Sequence, residues 1–186
     1  KDIVQHLIGD IKSIKRRYII TIGGESGSGK SEMGKAIQDE LEAVGIKAVI
    51  LGQDDYFVLP PRSNDAKRRE NSKWLGPHVE VKMDILEKNI IKALKGGKTI
   101  TKPLIDYEKN KILDEIVDLE GVGVIIAEGT YTSLLRNVDR RIFIGRNYED
   151  TLAHRSKRER GEEVGDLFIE GILETEHKII AGHKHL

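Results

Sequence analysis

Cysteine is absent from the 186 residues, which excludes a disulfide framework, a thiol nucleophile and a cysteine-ligated metal, and fits a reducing cytosol. Net charge is absent as well. The 31 Lys and Arg balance 31 Asp and Glu, which argues against binding nucleic acid through a basic face or a membrane through a polybasic one. No apolar run approaches the ~18–20 residues that span a bilayer, and the N-terminus shows no secretory signal pattern. Repeats, low-complexity segments and clear linkers are missing too. What remains, 38% hydrophobic and 33% charged residues, reads as globular rather than disordered. The length is close to one domain and sufficient to bury most of its apolar surface. The expectation is one cytoplasmic domain over residues 1–186. The chain begins at Lys1 rather than methionine, so the expectation is that some residues ahead of it were trimmed or not seen.

Apolar periodicity orders the elements. Ile3, Val4, Leu7, Ile8, Ile11 and Ile14 recur at helical spacing, and Tyr18 to Ile22 follows as a buried strand ending in Gly23-Gly24. Met33, Ala36, Ile37, Leu41 and Val44 stripe a second helix, with Gly45 at the position of a C-terminal cap. Ile46 to Leu51 reads as a strand, and the polar residues 55–76, with Pro60-Pro61 and Lys67-Arg68-Arg69, as a long functional or mobile loop. Met83 to Leu94 is helical. Thr99 to Tyr107 and Ile112 to Leu119 form a hairpin around Glu108-Lys109-Asn110. Gly123 to Ala127 is the near-continuous apolar run of a central parallel strand, and Arg141 to Ile144 is another strand. Glu149 to Arg160 reads as a charged helix, and Ile169, Ile172, Leu173 and Ile180 mark the last one. Strands alternating with helices argue for a parallel α/β sheet with the hairpin inserted.

The strongest signal is Gly24-Glu25-Ser26-Gly27-Ser28-Gly29-Lys30-Ser31, a full G-x-x-x-x-G-K-S pattern between a strand and a helix. Glycines let successive N–H groups turn inward around phosphate oxygens, and the helix that follows aims its positive dipole end at the same anion. Lys30 reaches the β and γ phosphates in such a loop, and the Ser31 hydroxyl ligates Mg²⁺. The chain is therefore expected to bind a nucleoside triphosphate. A carboxylate just past the end of a neighbouring parallel strand would help to hold the metal. Asp54 and Asp55 follow one strand and Glu128 another. With the phosphate loop present, the functional reading is preferred for Asp54 and Glu128 and left open for Asp55.

The order of these motifs resembles the uridine kinase and phosphoribulokinase family of P-loop small-molecule kinases from about Tyr18 to about His183. The anchors are residues 22–31, Gln53-Asp54-Asp55-Tyr56-Phe57, Lys102-Pro103-Leu104-Ile105-Asp106-Tyr107, Ile126-Ala127-Glu128-Gly129 and the arginine-bearing segment 154–161. The resemblance implies a three-layer P-loop NTPase fold: a mostly parallel sheet flanked by helices, a hairpin insertion at about 98–119 and a short arginine-bearing lid at about 149–163. It implies ATP and Mg²⁺ as cofactors and a small-molecule acceptor, with a nucleoside expected first. Asp54 matches the catalytic base, Glu128 the acidic residue near the metal, and Arg155 and Arg158 two lid arginines that close over the phosphates. Arg160-Gly161 matches the end of the lid only after a gap, which implies a shorter lid. Asp54, Phe57, Tyr107 and Arg158 fall to the acceptor, and Ser31, Glu128 and Asp54 to the metal. Family members are often oligomers, and a final strand and helix commonly follow the point where this chain stops.

Departures concern the acceptor. The Tyr-Asp-aromatic run and histidine that hold a pyrimidine in uridine-cytidine kinases are replaced by Ile105-Asp106-Tyr107 and by Asn110. Trp74-Leu75-Gly76-Pro77-His78 stands where Asp-His-Pro is usual. A site built to hydrogen-bond a base changes its selection when it loses two polar partners. Trp74 is expected to pack, as lone aromatics do. A non-nucleoside acceptor, such as a sugar phosphate or a pantothenate-like alcohol, is the alternative within the enzyme class, and a basic pocket of Lys67, Arg68 and Arg69 would favour a phosphorylated one. Outside the class, a nucleotide-dependent switch is disfavoured because no guanine-reading N/T-K-x-D motif is present. The histidines His177, His183 and His185 lack the surroundings of a metal site.

Overall fold

The computed structural model describes residues 2–147, 149–151 and 166–183. Its elements are α1 (Asp2–Ser13), β1 (Tyr18–Gly24), α2 (Lys30–Ala43), β2 (Ala48–Gly52), α3 (Pro61–Glu70), α4 (Met83–Leu94), β3 (Thr99–Asp106), β4 (Lys111–Asp118), β5 (Val124–Glu128), β6 (Arg140–Ile144) and α5 (Leu167–Ala181), with short 3₁₀ turns at Gln53–Tyr56, Ser72–Trp74 and Thr132–Leu134.

Four strands form one parallel sheet in the order β2-β5-β1-β6. All seven residues of β1 are buried, as the apolar runs require of strands covered on both faces. The two-residue period of a strand divides the core. Ile20, Ile22, Val124 and Ile126 face α1 and α2, whereas Ile19, Leu51, Ile125 and Ala127 face α4 and the hairpin. The expected α/β layers and the mostly parallel sheet are thus present. β3 and β4 make a separate antiparallel pair closed at Asn110, which adopts φ 50°.

Residues 55–76 depart from the expected loop. They fold as the turn Gln53–Tyr56, the helix α3 and the turn Ser72–Trp74. Pro61 sits at the first helical position, where its fixed φ suits the helix and its missing N–H has no partner to lose. Lys67, Arg68 and Arg69 occupy the last turn and complement the helix dipole. An apolar stripe never announced this helix because it packs through polar groups. Buried Asn64 donates to Glu80 at 3.1 Å and accepts from the Trp74 indole N–H at 2.8 Å. Trp74 therefore packs as expected, with a hydrogen bond as its anchor.

Two long-range anchors fix the strand ends below the site. Arg17 donates to the carbonyls of Ala93, Leu119 and Val122, closing the C-terminus of α4. Asp139 accepts from the Arg16 guanidinium and from the Ile19 N–H. The described part of the expected lid is confined to 149–151, so the charged helix, His154, Arg155, Lys157, Arg158 and Arg160 lie outside the described residues, as does His185.

Candidate active site

β1 delivers the chain to Gly24, and α2 starts at Lys30, so the loop between them wraps the N-terminus of a helix. Gly27 and Gly29 take φ of 77° and 98°, a left-handed region that turns backbone N–H groups inward and that side chains resist. The Lys30 ammonium donates to the Glu25 carbonyl at 2.8 Å, folded back over the loop.

Opposite the loop stand the ends of β2 and β5. The Ser31 hydroxyl donates to Glu128 Oε1 at 3.2 Å. Burial and, next, the Asp54 carboxylate raise the Glu128 carboxyl above its ordinary value, while Lys30 and the Ser31 hydrogen bond pull it down. Asp54, exposed on the turn after β2, faces the same cleft of about 250 Å³, together with Phe57. Gly129 locks this corner. Its N–H donates to the Ile22 carbonyl at 3.0 Å, and a β-carbon there would overlap Gln53. Gln53 in turn accepts the Tyr131 N–H at 2.7 Å.

The loop residues divide by role. Ser26, Gly27, Gly29, Lys30 and Ser31 line the cleft, while Gly24 ends the strand. Ser28 opens instead onto a neighbouring groove of about 500 Å³ between α1 and α2 that reaches Arg146. Glu25 is buried and meets His177 Nδ1 at 2.6 Å. Asp55 turns away from the cleft: it accepts from Lys102 at 2.5 Å and from the Ile105 N–H at 3.1 Å, holding the hairpin. Tyr107 lies in the hairpin turn, half exposed, and is not among the cleft-lining residues. Asn110 accepts the Arg62 N–H and donates to Ser63, joining the hairpin turn to α3.

Sequence reasoning missed the contribution of α5. Its Ile169, Ile172, Leu173 and Glu176 form one wall of the cleft. Buried Glu176 accepts from the Ser26 N–H at 2.9 Å and from its hydroxyl at 3.3 Å. Burial raises the Glu176 carboxyl, and the Ser26 hydrogen bonds oppose that rise. Nothing local marks Glu176 as a site residue, since its partner lies 150 positions earlier. Glu80 and Arg68 also enter the cleft, placed there because the backbone of 56–58 pairs with that of 80–82. His183, buried against the Ser133 hydroxyl at 2.8 Å, belongs to the core.

The oxygen set of Ser31, Glu128 and Asp54 suits Mg²⁺, which uses one or two carboxylates, water and substrate phosphates rather than an all-protein cage. Among the described residues no group of three or more His, Cys, Asp or Glu could hold a metal ion.

A phosphate loop on a parallel α/β sheet, faced by carboxylates from the two adjacent strand ends, defines a P-loop nucleotide-binding protein. The chain belongs to the phosphoribulokinase/uridine kinase family, whose model matches residues 19–177. It is 28% identical over 175 residues to the bifunctional alpha-galactosidase/sucrose kinase AgaSK of Mediterraneibacter gnavus, a match covering 88% of this chain and 19% of that protein. It is 30% identical over 170 residues to uridine-cytidine kinase B of Dictyostelium discoideum, covering 89% and 67%. A solved structure assigned as a fructose transport system kinase, from Silicibacter sp. TM1040, superposes with a TM-score of 0.66 at 18% identity, covering 97% of this chain and 91% of that one. The chain spans about a fifth of the AgaSK protein. No described helix is long and apolar enough to cross a membrane.

Proposed function

We propose that the protein transfers the γ-phosphoryl group of ATP to a primary hydroxyl of a small molecule, with Mg²⁺. The observation that carries this reading is the convergence of Lys30, Ser31, Glu128 and Asp54 on one cleft at the mouth of the phosphate loop. The acceptor oxygen attacks the γ-phosphorus as its proton passes to Asp54. The new O–P bond forms while the bond to the β,γ-bridging oxygen breaks, and ADP departs. Such chemistry needs in-line placement and charge neutralisation more than covalent help. Lys30 and the loop N–H groups orient the phosphates. Ser31 and Glu128, with Asp54 beside them, would hold Mg²⁺, which offsets charge on the phosphates when bound. Arg155 and Arg158 are proposed to close over the phosphates.

Two readings of the acceptor have support. A nucleoside is favoured by the family and by relatives named as uridine and uridine-cytidine kinases. A non-nucleoside alcohol is favoured by Tyr107 and Asn110, which are engaged at the hairpin turn rather than in the cleft, and by the sucrose kinase named in the AgaSK relative. The cytoplasm is the proposed location. The test is ADP formation with ATP and Mg²⁺ over nucleosides, neutral sugars, sugar phosphates and vitamin-precursor alcohols, with products weighed by mass spectrometry. Acceptor-dependent ADP and a product heavier by one phosphoryl group are expected. ATP turnover indifferent to every acceptor would overturn the reading in favour of a nucleotide-dependent switch.

A further inference from the structure

The three basic residues ending α3 do not form a basic pocket. Lys67 pairs outward with Glu70 at 3.1 Å. Arg69 pairs with Asp65 and Asp166 and lies over the Phe168 ring at 4.2 Å. Only Arg68 lines the cleft, and there it is neutralised. Its Nε and one terminal nitrogen both reach Glu80 Oε2 at 2.7 Å. The Glu80 side chain is 0% exposed and also accepts from Asn64 and from the Gly76 N–H at 3.1 Å, so its acceptor positions are used and the guanidinium is held in one orientation. The remaining guanidinium donors have no protein acceptor among the described residues.

An arginine cancelled by a buried carboxylate gives donors without net positive charge, which disfavours a phosphorylated acceptor. The same guanidinium lies over one face of the Phe57 ring, 5.8 Å from its centre. The other ring in the cleft wall, Tyr131, is 2% exposed, and its hydroxyl has no hydrogen-bond partner among the described residues. Glu176, Glu80 and Arg68 are the ionisable groups that act on this hydroxyl. A buried hydroxyl without a partner is the exception in folded proteins, and a ligand is one way to satisfy it.

We propose, resting on the kinase reading above, that the acceptor is an uncharged polyhydroxylated molecule, a sugar, and that Arg68 and Tyr131 select it by hydrogen-bonding its hydroxyls. Asp54 then receives the proton of the hydroxyl that reacts. The Tyr131 hydroxyl is sealed from water here.

The experiment compares kcat/KM for neutral mono- and disaccharides, the corresponding sugar phosphates, uridine and cytidine in the intact protein, then repeats the best acceptor with Tyr131→Phe and Arg68→Lys. Tyr131→Phe removes only an unpartnered hydroxyl, and Arg68→Lys keeps the charge facing Glu80 while losing the fork. A neutral sugar is expected to lead, and each variant should raise its KM about tenfold with kcat and the KM for ATP within about twofold, the size of one lost hydrogen bond in binding. Preference for uridine, cytidine or a sugar phosphate overturns the inference and leaves the kinase reading intact. A leading sugar whose KM neither variant moves overturns the assignment of Arg68 and Tyr131. Absence of acceptor-dependent ADP with every class overturns the kinase reading itself.

Discussion

Replacing Gly129 by alanine tests how tightly the active-site corner is built. Gly129 follows the metal-facing Glu128 and has φ 156°, and a β-carbon there would overlap the Gln53 side chain and lie 2.8 Å from its amide oxygen. Gln53 cannot retreat freely, because it is 1% exposed and its oxygen accepts the Tyr131 N–H. Overpacking costs about 1–3 kcal/mol. A side chain at positive φ adds about 1–2 kcal/mol, giving roughly 2–5 kcal/mol together. For a chain of this length each kcal/mol lowers Tm by roughly 2–4 °C, so a fall of roughly 4–20 °C is expected in a thermal melt followed by circular dichroism. Gly145→Ala is the control: no atom lies within 4 Å of the added carbon, and its backbone is outside the positive-φ region, so Tm should hold. A Gly129→Ala protein melting within about 1 °C of the parent would refute the reasoning.

Asp55→Ala should loosen the hairpin rather than abolish chemistry. The Ile105 N–H loses its acceptor, and Lys102, with a side chain 6% exposed, keeps only Glu115 as a carboxylate partner among the described residues. A loss of about 2–3 kcal/mol and faster amide exchange over 99–118 are expected, and unchanged exchange would argue against the anchor. Glu176→Gln keeps the hydrogen bond from Ser26 but removes a buried acid. Because burial raises this carboxyl, the folded state holds a proton that the unfolded state has released, so stability falls as pH rises above the ordinary carboxylate value of about 4.3. The Tm advantage of the Gln variant should therefore widen from about pH 4.5 upward. An advantage that is the same at every pH would contradict it.

The phosphate loop and the paired carboxylates were legible because each is a local pattern: eight consecutive residues between a strand and a helix, and an acid just beyond an apolar strand. Residues 55–76 were not legible as a helix, since α3 buries Asn64 rather than an apolar stripe and is held by Glu80 and Trp74. Asp54 and Asp55 are adjacent and alike in sequence. Only the partners decide that the first faces the cleft and the second grips Lys102. Of Lys67, Arg68 and Arg69, the inward residue depends on the placement of Glu80, which no spacing reveals. The wall supplied by α5, with Glu176 on Ser26 and His177 on Glu25, joins residues about 150 positions apart.

The most direct measurement is turnover and ATP affinity of Asp54→Asn, measured with the best acceptor and by calorimetric titration. Asparagine preserves shape and removes the base. The prediction is a fall in kcat of about 10²–10⁴-fold, the usual contribution of general base catalysis, with the dissociation constant for ATP within about threefold of the parent. A variant that keeps its kcat would contradict the assignment of Asp54 as the base.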